Sequence, residues 1–255
     1  MTSTKNKVAL VTGGSRGLGK DMALKLAARG FDVILTYHSR KDEADRVVDQ
    51  IKTQNGKAHA LQLDVAITQS FGSFVANLKS ALKASFGVDK IDALVNNAGV
   101  GTHMAFTDTT PEQFDTMVNI HLKAPFFLTQ KLLPLLNDGG SIVNISSGLA
   151  RFSFPGYSAY GTMKGAVETL TKYQAKELGA RKIRVNVVAP GAIETDFGGG
   201  AVRDNKDLNN MISSLTALGR VGVADDIGGV VAFLCSDDAK WVNAQRIEVA
   251  GGIFI

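Results

Sequence analysis

The chain has 255 residues, with 28 Lys and Arg against 24 Asp and Glu for a net charge of +4, and 45% hydrophobic against 20% charged residues. Collagen-like and disordered classes are excluded, and the length suits one domain over residues 1–255 with a sizeable core. A single cysteine, Cys235, excludes an internal disulfide framework and makes the cytoplasm the expected compartment.

Met1 to Lys7 contains no apolar leader core, and no later stretch has the length of uncharged apolar chain that a spanning helix needs. The cations are scattered singly or in pairs such as Arg40-Lys41 and Arg181-Lys182, so neither nucleic acid nor membrane is an expected partner.

Short β-branched runs alternate with helical stretches. The first strand, Val8 to Val11, runs into the glycines of residues 13–19, and a helix follows over 17–29. Strands are predicted next at 33–35, 58–63, 91–95, 141–145, 183–188 and 246–249, with helices at 40–54, 67–86, 111–136, 158–179 and 224–235. Continuous apolar runs such as Val8 to Val11 fit strands covered on both faces. Seven strands joined by crossovers predict an α/β fold: a Rossmann-type, doubly wound parallel sheet with helices on both faces. Such sheets bind ligands beyond the carboxyl ends of their strands.

The loop Thr12-Gly13-Gly14-Ser15-Arg16-Gly17-Leu18-Gly19 enters a helix directly. Glycines there let phosphate approach the N–H groups of Gly13, Ser15, Arg16, Gly17, Leu18 and Gly19 at a helix N-terminus. The spacing also begins a triphosphate loop, but Asp21 stands where that motif needs the Ser or Thr that holds magnesium. The remaining alternative is a glycine turn with no ligand. The second strand ends in Tyr37-His38-Ser39-Arg40, without the carboxylate that usually receives ribose hydroxyls. His38, Ser39 and Arg40, with Arg16, suit a 2′-phosphate, which favours NADP(H) over NAD(H). Against this, Arg40 and Lys41 also read as the solvated first turn of the next helix.

Tyr160 and Lys164 stand four apart at helical spacing and so share a helix face. A free phenol with a pKa of about 10 is a poor base at neutral pH, but a cation within about 4–6 Å favours its ionised form. Tyr37 and Lys41 have the same spacing, though Tyr37 ends a strand beside the presumed phosphate site. Tyr157 has Gly161 four residues on and is the weaker candidate.

These pieces resemble the short-chain dehydrogenases/reductases over almost the whole chain. The matching segments are Thr12-Gly13-x-x-x-Gly17-x-Gly19, Asp64-Val65, Asn96-Asn97-Ala98-Gly99, Ser147, Tyr160-x-x-x-Lys164, and Pro190-Gly191 with Thr195. The resemblance implies an NADPH-dependent oxidoreductase acting on a small-molecule carbonyl or alcohol, with Ser147, Tyr160, Lys164 and Asn119 as catalytic residues. Ser147 would bond the substrate oxygen and Tyr160 would exchange the proton. Lys164 would tune Tyr160 and bond the nicotinamide ribose, and Asn119 would hold a water on the proton path. Asp64 and Val65 would face adenine, and Asn96, Ala98 and Gly99 the adenosine side. Pro190, Gly191, Ile193 and Thr195 would face the nicotinamide end, with Thr195 anchoring its carboxamide.

The four histidines, His38, His59, His103 and His121, have no ligand-like spacing, and no metal is expected. The helix at 111–136 is apolar at helical spacing, as core or subunit contact. Ile253, Phe254 and Ile255 leave apolar side chains at the chain end, which predicts burial in a neighbouring subunit and, with the resemblance, a homotetramer. Residues 194–215, with Gly198-Gly199-Gly200, read as a mobile substrate lid, the alternative being a disordered loop. Phe152, Phe154, Phe197 and Met104 make the pocket apolar. An acyl chain on a carrier protein remains a possible substrate, although Leu135 to Asp138 lacks the cations an acidic carrier would want. A cofactor-sensing regulator on the same fold is the remaining alternative class.

Overall fold

The computed structural model describes residues 6–255, so most of the stretch read for a leader lies outside the described residues. The strands are β1 (Val8–Val11), β2 (Asp32–Tyr37), β3 (Ala58–Gln62), β4 (Ile91–Asn96), β5 (Leu136–Ile145), β6 (Arg184–Pro190) and β7 (Arg246–Val249). They form one parallel sheet in the order β3-β2-β1-β4-β5-β6-β7. The helices are α1 (Gly17–Ala28), α2 (Lys41–Thr53), α3 (Phe71–Ala81), α4 (Pro111–Val118), α5 (Ala124–Leu132), α6 (Ser158–Glu177), α7 (Ala201–Asp204), α8 (Lys206–Ser214) and α9 (Asp225–Cys235).

The two sheet faces divide the apolar residues by strand alternation. Ala9 and Val11 pack with α1, α2 and α9 through Met22, Leu26, Val47, Ile51 and Val231. Val8 and Leu10 pack on the opposite face with Phe71, Leu78, Leu128 and Ala175 of α3, α5 and α6. Among the described residues, no helix is long and apolar enough to cross a membrane.

Three segments differ from the sequence reading. The helix expected over 111–136 starts on a capping box, with Pro111 at its first turn and Thr110 and Gln113 bonded reciprocally, but a π turn at Asn119–Lys123 interrupts it. It is finished by Leu132, and β5 begins at Leu136 rather than Ser141. Buried Leu136 pairs with Ile91, and a register shift absorbs Gly139 and Gly140, which punctuate the sequence like a turn.

Residues 194–215 hold a short turn at Phe197–Gly200 and then α7 and α8, not an unstructured loop. Gly198, Gly199 and Gly200 all take left-handed backbone, with φ of 62°, 75° and 80°. That conformation is open to glycine at little steric cost and explains the run. At the chain end Ile253 is buried within its own subunit against Ile212 and Val221, which corrects the expectation that a neighbouring subunit covers it, while Ile255 is exposed.

Candidate active site

Winding reverses between β1 and β4, and the crevice at their carboxyl ends is framed by the glycine loop. Buried Thr12 locks that loop: its hydroxyl oxygen accepts from the N–H groups of Asn97 and Ala98, each at 3.0 Å. The Asn97 side chain donates to the carbonyls of Thr12 (2.9 Å) and Gly13 (3.1 Å). A Cβ on Gly13 would lie 2.9 Å from Ala98 Cα, and one on Gly19 only 2.1 Å from the Gly13 carbonyl oxygen. The loop therefore packs flat on the end of β4. No side chain caps the N-terminus of α1, so its free N–H groups suit an anion, and Ser15, Arg16 and Gly17 lie at that end. The Leu18 side chain packs on the core.

The other expected dinucleotide contacts line the same edge. His38 Nε2 lies 3.4 Å from Asp64 Oδ2, and Ala66 N–H donates to Asp64 Oδ1 at 2.9 Å, which brings the β2 and β3 ends together beside half-buried Val65. Arg40 pairs with Glu43 at 2.6 Å and Arg16 with Asp196 at 3.5 Å, while Ser39 is exposed. Both guanidiniums are about half exposed, so a phosphate can draw either away from a pair of small worth. After β6, Gly191 N–H donates to the Val249 carbonyl at 3.1 Å, Ile193 bridges to Gly222, and Thr195 faces Gly17. Asn96 does not turn its amide to the crevice; it donates to Asn144 (2.8 Å) and Thr129 (3.0 Å), which ties β4 to β5 and α5.

Ser147, Tyr160 and Lys164 come together just beyond β5. Ser147 caps a short turn at Gly148–Ala150, its hydroxyl accepting from Leu149 N–H at 3.2 Å. Tyr160 and Lys164 share the buried face of α6. The Lys164 ammonium donates to the Ile145 carbonyl at 2.8 Å and lies 5.4 Å from the centre of the Tyr160 ring. Burial holds the Tyr160 phenol above its ordinary pKa, opposed by a hydrogen bond with Ser147. Burial also lowers Lys164 to about 7. The amine faces a carbonyl oxygen and the ring, and burial is the largest influence on both groups. The phenol is a proton donor in this state. The Phe197 ring stands 5.7 Å from the Tyr160 ring and against Gly101, where a Cβ would come within 2.6 Å of it.

Asn119 lies on the turn that packs against α6. It begins the π turn, and its side-chain oxygen accepts from Lys123 at 2.9 Å, one turn along the helix. His121 is the residue of the turn that reaches the centre, packing edge-on against Tyr160 with ring centres 5.1 Å apart. Its Nε2 lies 2.8 Å from the Val100 carbonyl oxygen. Burial, then the Lys164 charge, lowers its pKa to about 3, the carbonyl opposing. A neutral imidazole donating from Nε2 is an acceptor at Nδ1, which has no partner among the described residues. Counting helical residues misses His121 because the π turn adds a residue and rotates the helix beyond it; an Asn followed at two residues by a His, both in mid-helix, was the only signal.

Comparison with known proteins agrees with this geometry. A family model described as enoyl-(acyl carrier protein) reductase matches residues 13–253. An uncharacterised oxidoreductase of Methylorubrum extorquens is 39% identical over 254 residues, which cover 99% of this chain and 100% of the relative. The 3-oxoacyl-[acyl-carrier-protein] reductase FabG of Staphylococcus epidermidis is 38% identical over 252 residues, covering 98% and 100%. Among solved structures, the angucycline C-6 ketoreductase LanV with bound NADP superposes with a TM-score of 0.92 at 38% identity, covering 96% of this chain and 95% of that one. The chain belongs to the short-chain dehydrogenase/reductase family and is an oxidoreductase.

Proposed function

We propose that the protein reduces a ketone on an apolar, ring-bearing substrate with NADPH, Tyr160 supplying the proton. The observation that carries this reading is that Ser147 at the turn after β5 meets Tyr160 and Lys164 on the buried face of α6, at the crevice edge.

The residues present fit the dinucleotide. The N-terminus of α1 and the packed glycines receive the pyrophosphate, and Arg16 and Arg40 receive a 2′-phosphate. Asp64, Val65, Ala98 and Gly99 line the adenosine side, and Pro190, Gly191, Ile193 and Thr195 the nicotinamide side. When bound, NADPH supplies the hydride. Ser147 and Tyr160 then donate toward the developing oxyanion, and the Tyr160 proton transfers to it. Lys164, anchored on Ile145 and lowered to about 7 by burial, hands a proton back to the phenol. Gly19→Ala is expected to weaken NADPH binding at least about tenfold in a fluorescence titration, because the new methyl must push the loop off its anion-binding position.

Aromatic side chains lie near Tyr160: the Phe197 ring is 5.7 Å from its ring, and Tyr157, in the same apolar cluster, is paired edge-on with His103 at 5.2 Å. Flat faces of this kind suit an aromatic ring ketone, and LanV is a ketoreductase of angucyclines. Segment 194–215 closes over that substrate. The carrier-protein reading draws on the Staphylococcus epidermidis relative. Against it, the guanidinium that reaches the end of α5, Arg181, is already spent on Asp138 and the carbonyls of Leu133 and Leu136. A homotetramer in the cytoplasm is the proposed setting, supported by exposed Phe126 and Phe127 on α5 and by a fold with no disulfide.

The test follows NADPH absorbance with a fused-ring ketone and a 3-oxoacyl thioester, with NADH in parallel. The ring ketone with NADPH is expected to give at least about tenfold the kcat/KM of the other combinations, an energy difference within reach of a shaped apolar pocket. Oxidation of NADPH by neither substrate overturns the reading.

A further inference from the structure

Behind the serine loop lies a run of alternating charges that the proposed reaction does not use. Glu168, one turn after Lys164 on α6, accepts through Oε1 from the buried Ser146 hydroxyl (2.7 Å) and from Arg246 Nε (2.7 Å). Arg246 opens the edge strand β7; its Nη1 donates to Glu248 Oε2 at 2.9 Å and its Nη2 points to the Ser147 carbonyl at 3.4 Å. Glu248, two residues on and so on the same side of the strand, receives a two-pronged bond from Arg151 at 2.9 and 3.0 Å. The Arg151 guanidinium also donates to the carbonyls of Ile253 (3.0 Å) and Phe254 (3.3 Å).

The run thus connects the chain end to both serines that follow β5. A second tether runs beside it. Phe254 packs on Phe152 with ring centres 4.6 Å apart, and a Cβ on Gly148 would come within 2.8 Å of the Phe152 ring. Isolated ion pairs at a surface add little stability. Here three of the four side chains are only 19–24% exposed, each donor is aimed, and the run ends on the backbone of Ser147.

We propose that Arg246, held between Glu168 and Glu248, is the positioning residue of the serine loop, and that docking of the C-terminal residues through Arg151 is read out as the placement of the Ser147 hydroxyl. This rests on the reading that Ser147 donates to the substrate oxygen. A small misplacement of a donor at a reacting centre costs as much as 10²-fold in rate.

The test is a double-mutant cycle between Arg246→Met and Ser147→Ala, with hydrogen exchange of the cofactor-free protein as a readout independent of turnover. Arg246→Met alone is expected to lower kcat about 10–30-fold with the KM for NADPH within about twofold, and to speed amide exchange over residues 147–151 at least about tenfold. In the Ser147→Ala background the same substitution is expected to change kcat less than about twofold, since the group it places is gone. An equal factor in both backgrounds, or unchanged exchange, overturns the proposal.

Should Arg246→Met fail to fold, Glu248→Gln, which keeps the side-chain shape and removes one charge, is carried through the same cycle with a smaller effect expected; additivity there also overturns it. Wild-type protein that oxidises no NADPH would instead sink the reductase reading, and the exchange measurement would still decide whether Arg246 holds the loop.

Discussion

Tyr160→Phe is expected to lower kcat at least about 100-fold, in line with the usual worth of a positioned general acid. The expectation is sharp because the substitution removes so little else. The Tyr160 ring packs edge-on against His121 and lies near Phe197, contacts that a phenylalanine ring keeps. The hydroxyl's partner is Ser147, which is half-buried and already accepts from Leu149 N–H, so the loop retains its turn. NADPH affinity is therefore expected to stay within about threefold by fluorescence titration, since the residues proposed to receive the pyrophosphate lie in the glycine loop and at the start of α1. Loss confined to kcat marks a group that acts in the transition state. Turnover within a few fold of wild type would remove Tyr160 from the proton path.

The order of strands and helices was legible because each β-branched run and each helical stretch carries its own periodicity. Val8 to Val11 reads as a covered strand, and it is one, with alternate residues feeding opposite faces of the sheet. The meeting of Tyr160 and Lys164 was legible because four-residue spacing survives in a regular helix such as α6. Where regularity fails, spacing no longer says which side chains meet. The π turn at Asn119–Lys123 shifts the phase of the helix, so Asn119 turns to Lys123 while His121 reaches Tyr160.

Asn96 and Asn97 carry the opposite lesson, because adjacent residues at a strand end face different ways. Asn96 serves the sheet and Asn97 the glycine loop, a division that motif matching leaves undetermined. Helical spacing says that two groups meet, and it says nothing of the desolvation that both suffer on meeting. The link from Glu168 through Arg246 to Arg151 was invisible in the sequence, since it joins α6, β7 and the serine loop across 78 and 97 residues of chain.

Lys164→Met is expected to cost activity and add stability, a combination set by where the ammonium lies. Burial lowers the amine from its ordinary 10.5 to about 7. Between those two values the unfolded chain holds a proton that the folded chain lacks, so folding stability from this residue rises with pH across about 7 to 10.5. Below about pH 7 both states are protonated, and the full cost of burying the charge, a few kcal/mol at about 1.4 kcal/mol per pKa unit, weighs on the fold. Methionine fills a similar volume without charge, at the loss of the bond to the Ile145 carbonyl, worth about 1–2 kcal/mol.

The variant is therefore expected to melt about 3–8 °C higher than wild type at pH 6, taking about 2–4 °C per kcal/mol for a chain of this size. The advantage should shrink as pH climbs toward the ordinary lysine range, because wild type no longer pays for a buried charge there. Differencing the two melting curves at each pH cancels every other titrating group. The same substitution is expected to lower kcat at least about 100-fold, since nothing then restores the proton that Tyr160 gives up. A variant that melts at or below wild type at pH 6, with a difference that does not change with pH, would show that Lys164 is not held as a costly buried amine.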